Sequence, residues 1–292
     1  MSNKTNKAER GVDNSNFVAT AWLAEHLADV GLRVIDASWH LPPTGRNGEA
    51  EFRERHIPGA AFFNIDVIAE QSSGLPHMLP DARQFAEQAG ALGLGDGMRF
   101  VVYDALGLFA AARVWWTLRA FGAKGVKILS GGLPRWIREG RPLEKGPMRL
   151  RQSVFTPRLD AGVVATLADV RRAIAEGSAQ VVDARAANRF RGEAPEPRPG
   201  LKSGHIPGSR NVPFTDIIED GALKSPAALA QTLGAQGIDL AKPVITTCGS
   251  GVSAAILALA VEEAGGRVAG LYDGSWAEWG AREDCPVATG DA

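Results

Sequence analysis

Residues 244–255 read VITTCGSGVSAA and set Cys248 between a β-branched apolar run and an alanine-rich segment. The apolar run reads as a buried strand, CGSGVS as a tight turn, and AAILALAVEEAG as a helix. The thiol therefore lies on a strand-to-helix turn at the carboxyl end of a parallel strand, where open α/β sheets bind ligands. Gly249 and Gly251 allow backbone conformations that turn several N–H groups inward, and the helix N-terminus adds partial positive charge. Both effects favour a thiolate. The same N–H groups would stabilise an anionic persulfide or an oxyanion on that sulfur. A free cysteine can also be a small buried hydrophobe, but the glycine-flanked position before a helix favours a nucleophile. Cys285, in REDCPVA, has none of these features and reads as incidental.

The chain that positions this loop has 292 residues, 45% hydrophobic and 22% charged, enough for two domains with real cores. A formal net charge of -1 gives no reason to expect nucleic acid or an anionic membrane as the main partner, which leaves small solutes or other proteins. MSNKTNKAERGVDNSNF is polar and lacks the apolar centre and cleavage site of a secretory signal, so it reads as a loose tail. No apolar run approaches the ~18 to 20 residues of a spanning helix. The two cysteines have neither CxxC spacing nor a secreted context, which argues against a disulfide framework or a thiolate metal site. No metal or organic cofactor is expected, and a reducing cytoplasm fits best.

The chain repeats itself. LRVIDASWH at 32–40 is answered by AQVVDARAA at 179–187, and HIPGA at 56–60 by HIPGS at 205–209. LPDARQFAEQAGALGL pairs with SPAALAQTLGAQGI, and FVVYDALGLFAA with VITTCGSGVSAA. Four matches in the same order at nearly constant separation mark a duplicated fold. In each half short apolar runs (LRVID, MRFVVYD, GVKILSG; then QVVDA, PVITT, RVAGLY) alternate with helical patterns such as ARVWWTLRAFG and ALAQTLGA. An α/β fold follows, with a parallel sheet flanked by helices in each half. The expected boundaries are a tail over 1–16, a first domain over 17–143, a linker over 144–162 rich in Pro, Gly and charge, and a second domain over 163–292.

Duplication provides an internal control, because a residue present in both halves serves the fold, whereas one present in a single half needs another explanation. His56 and His205, both in HIPG, are therefore read as structural, as are Asp36 and Asp183 at their strand ends. Three features lack a counterpart. Cys248 aligns with Asp104, and His77 of GLPHMLP aligns with Leu223. The third is the arginine-bearing insert RFRGEAPEPRPGLKSG at 189–204. A thiol and arginines from one half and a histidine from the other suggest a site at the domain interface.

With the CGSGVSAA loop, the two-halved pattern, HIPGAAFFNID, HMLPDARQFA and RFRGEAPEPRPGLKSGHIPG, the chain resembles the rhodanese superfamily of sulfurtransferases from about residue 17 to 288. The resemblance implies two tandem rhodanese-like domains, the first lacking the catalytic cysteine. Thiosulfate-preferring members carry basic residues directly after the cysteine, and mercaptopyruvate-preferring members carry Gly-Ser-Gly, as here at Gly249, Ser250 and Gly251. A neutral loop suits a donor with one carboxylate and a ketone better than the doubly negative thiosulfate. The RF and PEPR motifs imply Arg189 and Arg198 as carboxylate ligands, since a guanidinium clamps a carboxylate through two hydrogen bonds. Arg191, Arg185 and Lys202 are weaker candidates. Loop residues Gly249, Gly251, Val252 and Ser253 are expected against the substrate, with Ser253 standing where the family usually has Thr.

Asp66 and His77 match the positions proposed in the family to form an Asp-His-Ser relay, which Ser250 completes. The implied reaction moves sulfur from 3-mercaptopyruvate through a Cys248 persulfide to a thiol, thioredoxin or cyanide acceptor, releasing pyruvate. Thiosulfate as donor is the competing reading, and a noncatalytic interaction module is a more distant one. A cysteine phosphatase of this fold would end its loop in an arginine, whereas Ala254 and Ala255 stand there.

Overall fold

The computed structural model describes residues 16–148 and 150–291, so all but the last residue of the expected N-terminal tail lies outside the described residues. In the first half, β1 (Phe17–Val18), β2 (Leu32–Asp36), β3 (Ala61–Phe62), β4 (Arg99–Tyr103) and β5 (Val126–Leu129) form one parallel sheet in the order β1-β5-β4-β2-β3. The second half has β6 (Val164–Ala165), β7 (Gln180–Asp183), β8 (Arg210–Asn211), β9 (Ile218–Glu219), β10 (Ala222–Leu223), β11 (Val244–Thr247) and β12 (Val268–Tyr272). Here β9 and β10 make a separate hairpin, and the rest form a parallel sheet in the order β6-β12-β11-β7-β8. The two orders are the same, as a duplicated fold requires.

The pleat of the central strands divides the core into layers. Phe100 and Val102 of β4 enter one apolar cluster, while Val101 and Tyr103 enter another on the opposite face. In β11, Val244 and Ile245 divide in the same way. The shared middle cluster holds residues of both halves, among them Phe85, Trp115, Ile256 and Leu271. Through it run helices Ala110–Ala120 and Val252–Glu263, each apolar almost all round and buried over most of its length.

The segment 144–162 is tied to the first half over part of its length. Phe155 is buried and meets Phe85 edge-on, at 5.2 Å between ring centroids, and the Arg158 N–H donates to the Phe121 carbonyl at 2.9 Å. Asn16, expected in the tail, donates through its backbone N–H and its amide to Glu263 Oε1, both at 2.9 Å. His56 and His205 hold equivalent places: each ring stacks on a phenylalanine and contacts that residue's carbonyl through Nδ1. Asp36 and Asp183 each accept the backbone N–H two residues on, at 2.8 Å. No helix among the described residues is long and apolar enough to cross a membrane.

Candidate active site

Register brings the chemistry to one edge. Thr247 of β11 pairs with Asp183 of β7, so the Cys248 turn leaves the sheet beside the start of the arginine-bearing insert. Gly251 caps the following helix with φ of 77°, a left-handed conformation that a β-carbon disfavours. The loop is anchored from behind: Trp276 and Ala277 donate backbone N–H to the carbonyls of Cys248 (2.9 Å) and Gly249 (3.0 Å). Buried Ser275 accepts from the Cys248 N–H at 3.4 Å and donates to the Tyr272 carbonyl at 2.8 Å.

The first half shows what such a turn binds. Asp104, aligned with Cys248, is buried, with its carboxylate accepting the N–H groups of Leu106 (2.8 Å), Phe109 (2.6 Å) and Ala111 (2.9 Å). Burial raises its pKa, and those backbone hydrogen bonds oppose the rise. The turn is thus an anion cradle filled by its own side chain. At the aligned positions Ser250 and Ser253, the N–H groups meet no protein acceptor among the described residues. The second turn follows the same plan, with a thiol in the place of the first turn's carboxylate.

The first half supplies a histidine to this turn. His77 Nδ1 lies 3.1 Å from Ser250 Oγ, and its Nε2 lies 2.9 Å from Asp66 Oδ1. His77 and Ser250 are buried, whereas the Asp66 side chain is more than half exposed. Asp66 also accepts from Trp39 Nε1 at 2.8 Å, and the Trp39 ring stands edge-on to the imidazole at 4.9 Å between centroids. The His77 hydrogen bond holds the Asp66 carboxyl below the usual carboxylate range, so Asp66 stays ionised near neutral pH. His77 itself has φ of 63°, a strained conformation for a residue with a β-carbon.

A cavity of about 190 Å³ opens on the sulfur, lined by Trp39, Pro42, Arg189, Arg198, Ser250 and Ser253 among others. Gly249 and Val252 also line it; Gly251 does not, and serves as the helix cap behind it. Arg198 is half-buried with no ion pair or hydrogen bond among the described residues, and its desolvation lowers its pKa while the nearby Cys248 opposes the fall. A guanidinium cannot deprotonate in this setting, so it stands charged and unpartnered beside the sulfur. Arg189 is held by Glu196, whose two carboxylate oxygens it meets through Nε (3.2 Å) and Nη2. A β-carbon at Gly249 would lie 3.2 Å from Arg189 Nη2, so the missing side chain there makes room for the guanidinium.

The three weaker candidates lie elsewhere. Arg185 is buried between Asp183 (2.7 Å) and Glu196 (2.8 Å), with its guanidinium over the Trp276 ring. Arg191 pairs with Glu193, and Lys202 donates to the carbonyls of Arg282 and Cys285. Cys285 is buried, with Arg171 Nη2 at 3.1 Å from its sulfur, and plays no part in the cavity. Sequence reasoning missed Trp39, Glu196, Arg113 and Asp273. The same one-half-only test would have flagged three of them: Trp39 aligns with Ala186, Arg113 with Leu257, and Asp273 with Ser130.

The Rhodanese-like domain model matches residues 19–139 and again 166–282. The 3-mercaptopyruvate sulfurtransferase of Homo sapiens is 46% identical over 270 residues, 90% of this chain and 91% of that protein. The thiosulfate sulfurtransferase of Cricetulus griseus is 43% identical over 271 residues, covering 90% and 91%. The crystal structure of SseA from Escherichia coli, described as a 3-mercaptopyruvate sulfotransferase of rhodanese fold, matches with a TM-score of 0.84 at 41% identity. That match covers 90% of this chain and 99% of SseA. Two domain matches in one chain explain the repeat, the repeated sheet order and the paired cradles together: the chain belongs to the rhodanese family and carries two of its domains.

Proposed function

We propose that the chain is a 3-mercaptopyruvate sulfurtransferase that carries sulfur on Cys248. The observation that carries this reading is the neutral Gly249-Ser250-Gly251 turn with Ser250 held by His77, in a cavity that presents one unpartnered guanidinium, Arg198. A donor with one carboxylate and a ketone matches that arrangement. Similarity to relatives named for this donor supports it.

In the proposed reaction the donor carboxylate lies against Arg198 and Arg189, which sets its sulfur toward Cys248. The Cys248 thiolate attacks that sulfur; an S–S bond forms as the C–S bond breaks, and its electron pair moves onto carbon as the pyruvate enolate. Ser250 and His77 pass a proton to the enolate, which leaves as pyruvate, and ionised Asp66 keeps the imidazole oriented. Backbone N–H groups of the turn, from Gly249 to Ser253, stabilise the persulfide that remains. An acceptor thiolate, thioredoxin or cyanide then attacks the outer sulfur and restores the Cys248 thiolate. Both cysteines are free and buried, which supports a reducing, cytoplasmic setting for this chemistry.

The test compares donors in one preparation, measuring pyruvate release from 3-mercaptopyruvate and sulfite release from thiosulfate, each with cyanide or a dithiol as acceptor. We expect the higher kcat/KM with 3-mercaptopyruvate and loss of both activities in Cys248→Ser. A higher kcat/KM with thiosulfate would replace the donor assignment, and activity surviving in Cys248→Ser would remove the persulfide.

A further inference from the structure

Arg113 is a charged residue in the middle of an apolar helix, and nothing in the chemistry above uses it. It is 2% exposed and ion-paired at 2.7 Å with Asp273, which is also buried. A buried ion pair is weak evidence for stability, because desolvating the two charges offsets most of their attraction. What this one touches is more informative. Arg113 Nη2 donates to the His77 carbonyl, and Nη1 donates to the Gly251 carbonyl at 3.3 Å. Asp273 Oδ2 accepts the Leu79 N–H, two residues beyond His77, at 2.7 Å. A β-carbon at residue 251 would lie 2.6 Å from Arg113 Nη1, so glycine there is needed for the approach as well as for the cap.

These contacts join the two chain segments whose side chains meet at His77 and Ser250. The His77 segment comes from the first half and the Ser250 turn from the second, and His77 is held at a φ that the backbone alone disfavours. The repeat again acts as a control: the positions aligned with Arg113 and Asp273 are Leu257 and Ser130, so the other cradle, which holds Asp104, lacks this clamp. The fold forms without it in one half, and it stands only where a cysteine and a histidine must be brought together.

We infer that Arg113, paired with Asp273, is a positioning residue that fixes His77 against Ser250, and that proton delivery to the leaving enolate depends on it. In sequence terms this deepens the donor reading above, on which its kinetic test rests. Thiosulfate supplies the contrast, because sulfite leaves from it as a stable anion and needs no proton.

The experiment uses Arg113→Lys, which keeps the charge but loses the fork that spans two carbonyls, and Asp273→Asn, which keeps the shape. Asp273→Asn decides if Arg113→Lys does not fold. The expected result is a fall in kcat of about 10- to 100-fold for pyruvate release, out of the ~10²- to 10⁴-fold typical of general acid catalysis, with KM and thiosulfate turnover nearly unchanged. Equal losses with both donors, a rise in KM alone, or no change would overturn the inference. Imidazole ¹⁵N NMR of His77 separates this from the donor assignment. The His77 signals should move in both variants in the direction seen in Ser250→Ala, whichever donor the enzyme prefers, and unmoved signals would contradict the positioning role.

Discussion

An arginine that lines a cavity with no hydrogen bond or ion pair gives up hydration for only the pull of nearby charges, and Arg198 is held in this way beside Cys248. The arrangement is sensible only if a ligand carboxylate completes it. The motif around Arg198 was legible in sequence, but its freedom was not, because that depends on Glu196 being taken up by Arg185 and Arg189. Asp36 shows a different cost of burial. Desolvation raises its pKa from 3.8 to about 6, against the hydrogen bonds from Ser38. Because the folded-state value lies above the unfolded one, the stability linked to this proton is fully present below about pH 4 and lost as pH rises through about 6. The shift corresponds to a contribution on the order of 3 kcal/mol. Asp36→Asn should therefore flatten the stability profile between pH 4 and 7 while still accepting the Ser38 N–H. Urea unfolding of both proteins across that range checks it, and parallel profiles would contradict it.

Strand, turn and helix around Cys248 were legible because each has a local cause: a β-branched run, two glycines and an alanine-rich stretch. The helix Ala110–Ala120 was equally plain as a helix, yet nothing in its periodicity says that Arg113 points to the other half. The glycines of the turn separate by function. Gly251→Ala places a side chain at a φ of 77° and against Arg113, so we expect a loss of about 1–3 kcal/mol in stability and of most activity with 3-mercaptopyruvate. Gly249 has no positive φ, and its added β-carbon meets only Arg189, 3.2 Å away. Gly249→Ala should keep the fold and raise KM for the donor several-fold, by an amount on the order of 1 kcal/mol, with kcat changed less. Thermal unfolding and steady-state kinetics on the two variants distinguish the roles; equal effects on stability would contradict the assignment.

As a whole molecule the chain uses its duplication asymmetrically. Both halves retain the sheet order and the strand-to-helix turn, but one turn wraps the Asp104 carboxylate and the other carries Cys248 in its place. The halves share one apolar layer, which explains why the cysteine lies at their junction and why the first half can lend His77, Asp66 and Trp39 to it. The repeat, the fold class and the one-sided residues could be read from sequence, since each is a matter of pattern. A site between the halves could be inferred too, from a thiol and arginines in one half and a histidine in the other, but which faces meet could not, because that is decided by shape across more than a hundred residues of separation. The central claim is that sulfur is held on Cys248 between donor and acceptor. It is tested most directly by mixing the enzyme with excess 3-mercaptopyruvate without acceptor, then measuring intact mass and released pyruvate. The account predicts one added sulfur per chain, located on the Cys248 peptide, with one pyruvate released for each, and removal of that sulfur by cyanide as thiocyanate. Pyruvate released by a protein of unchanged mass, or sulfur located on Cys285, would contradict it.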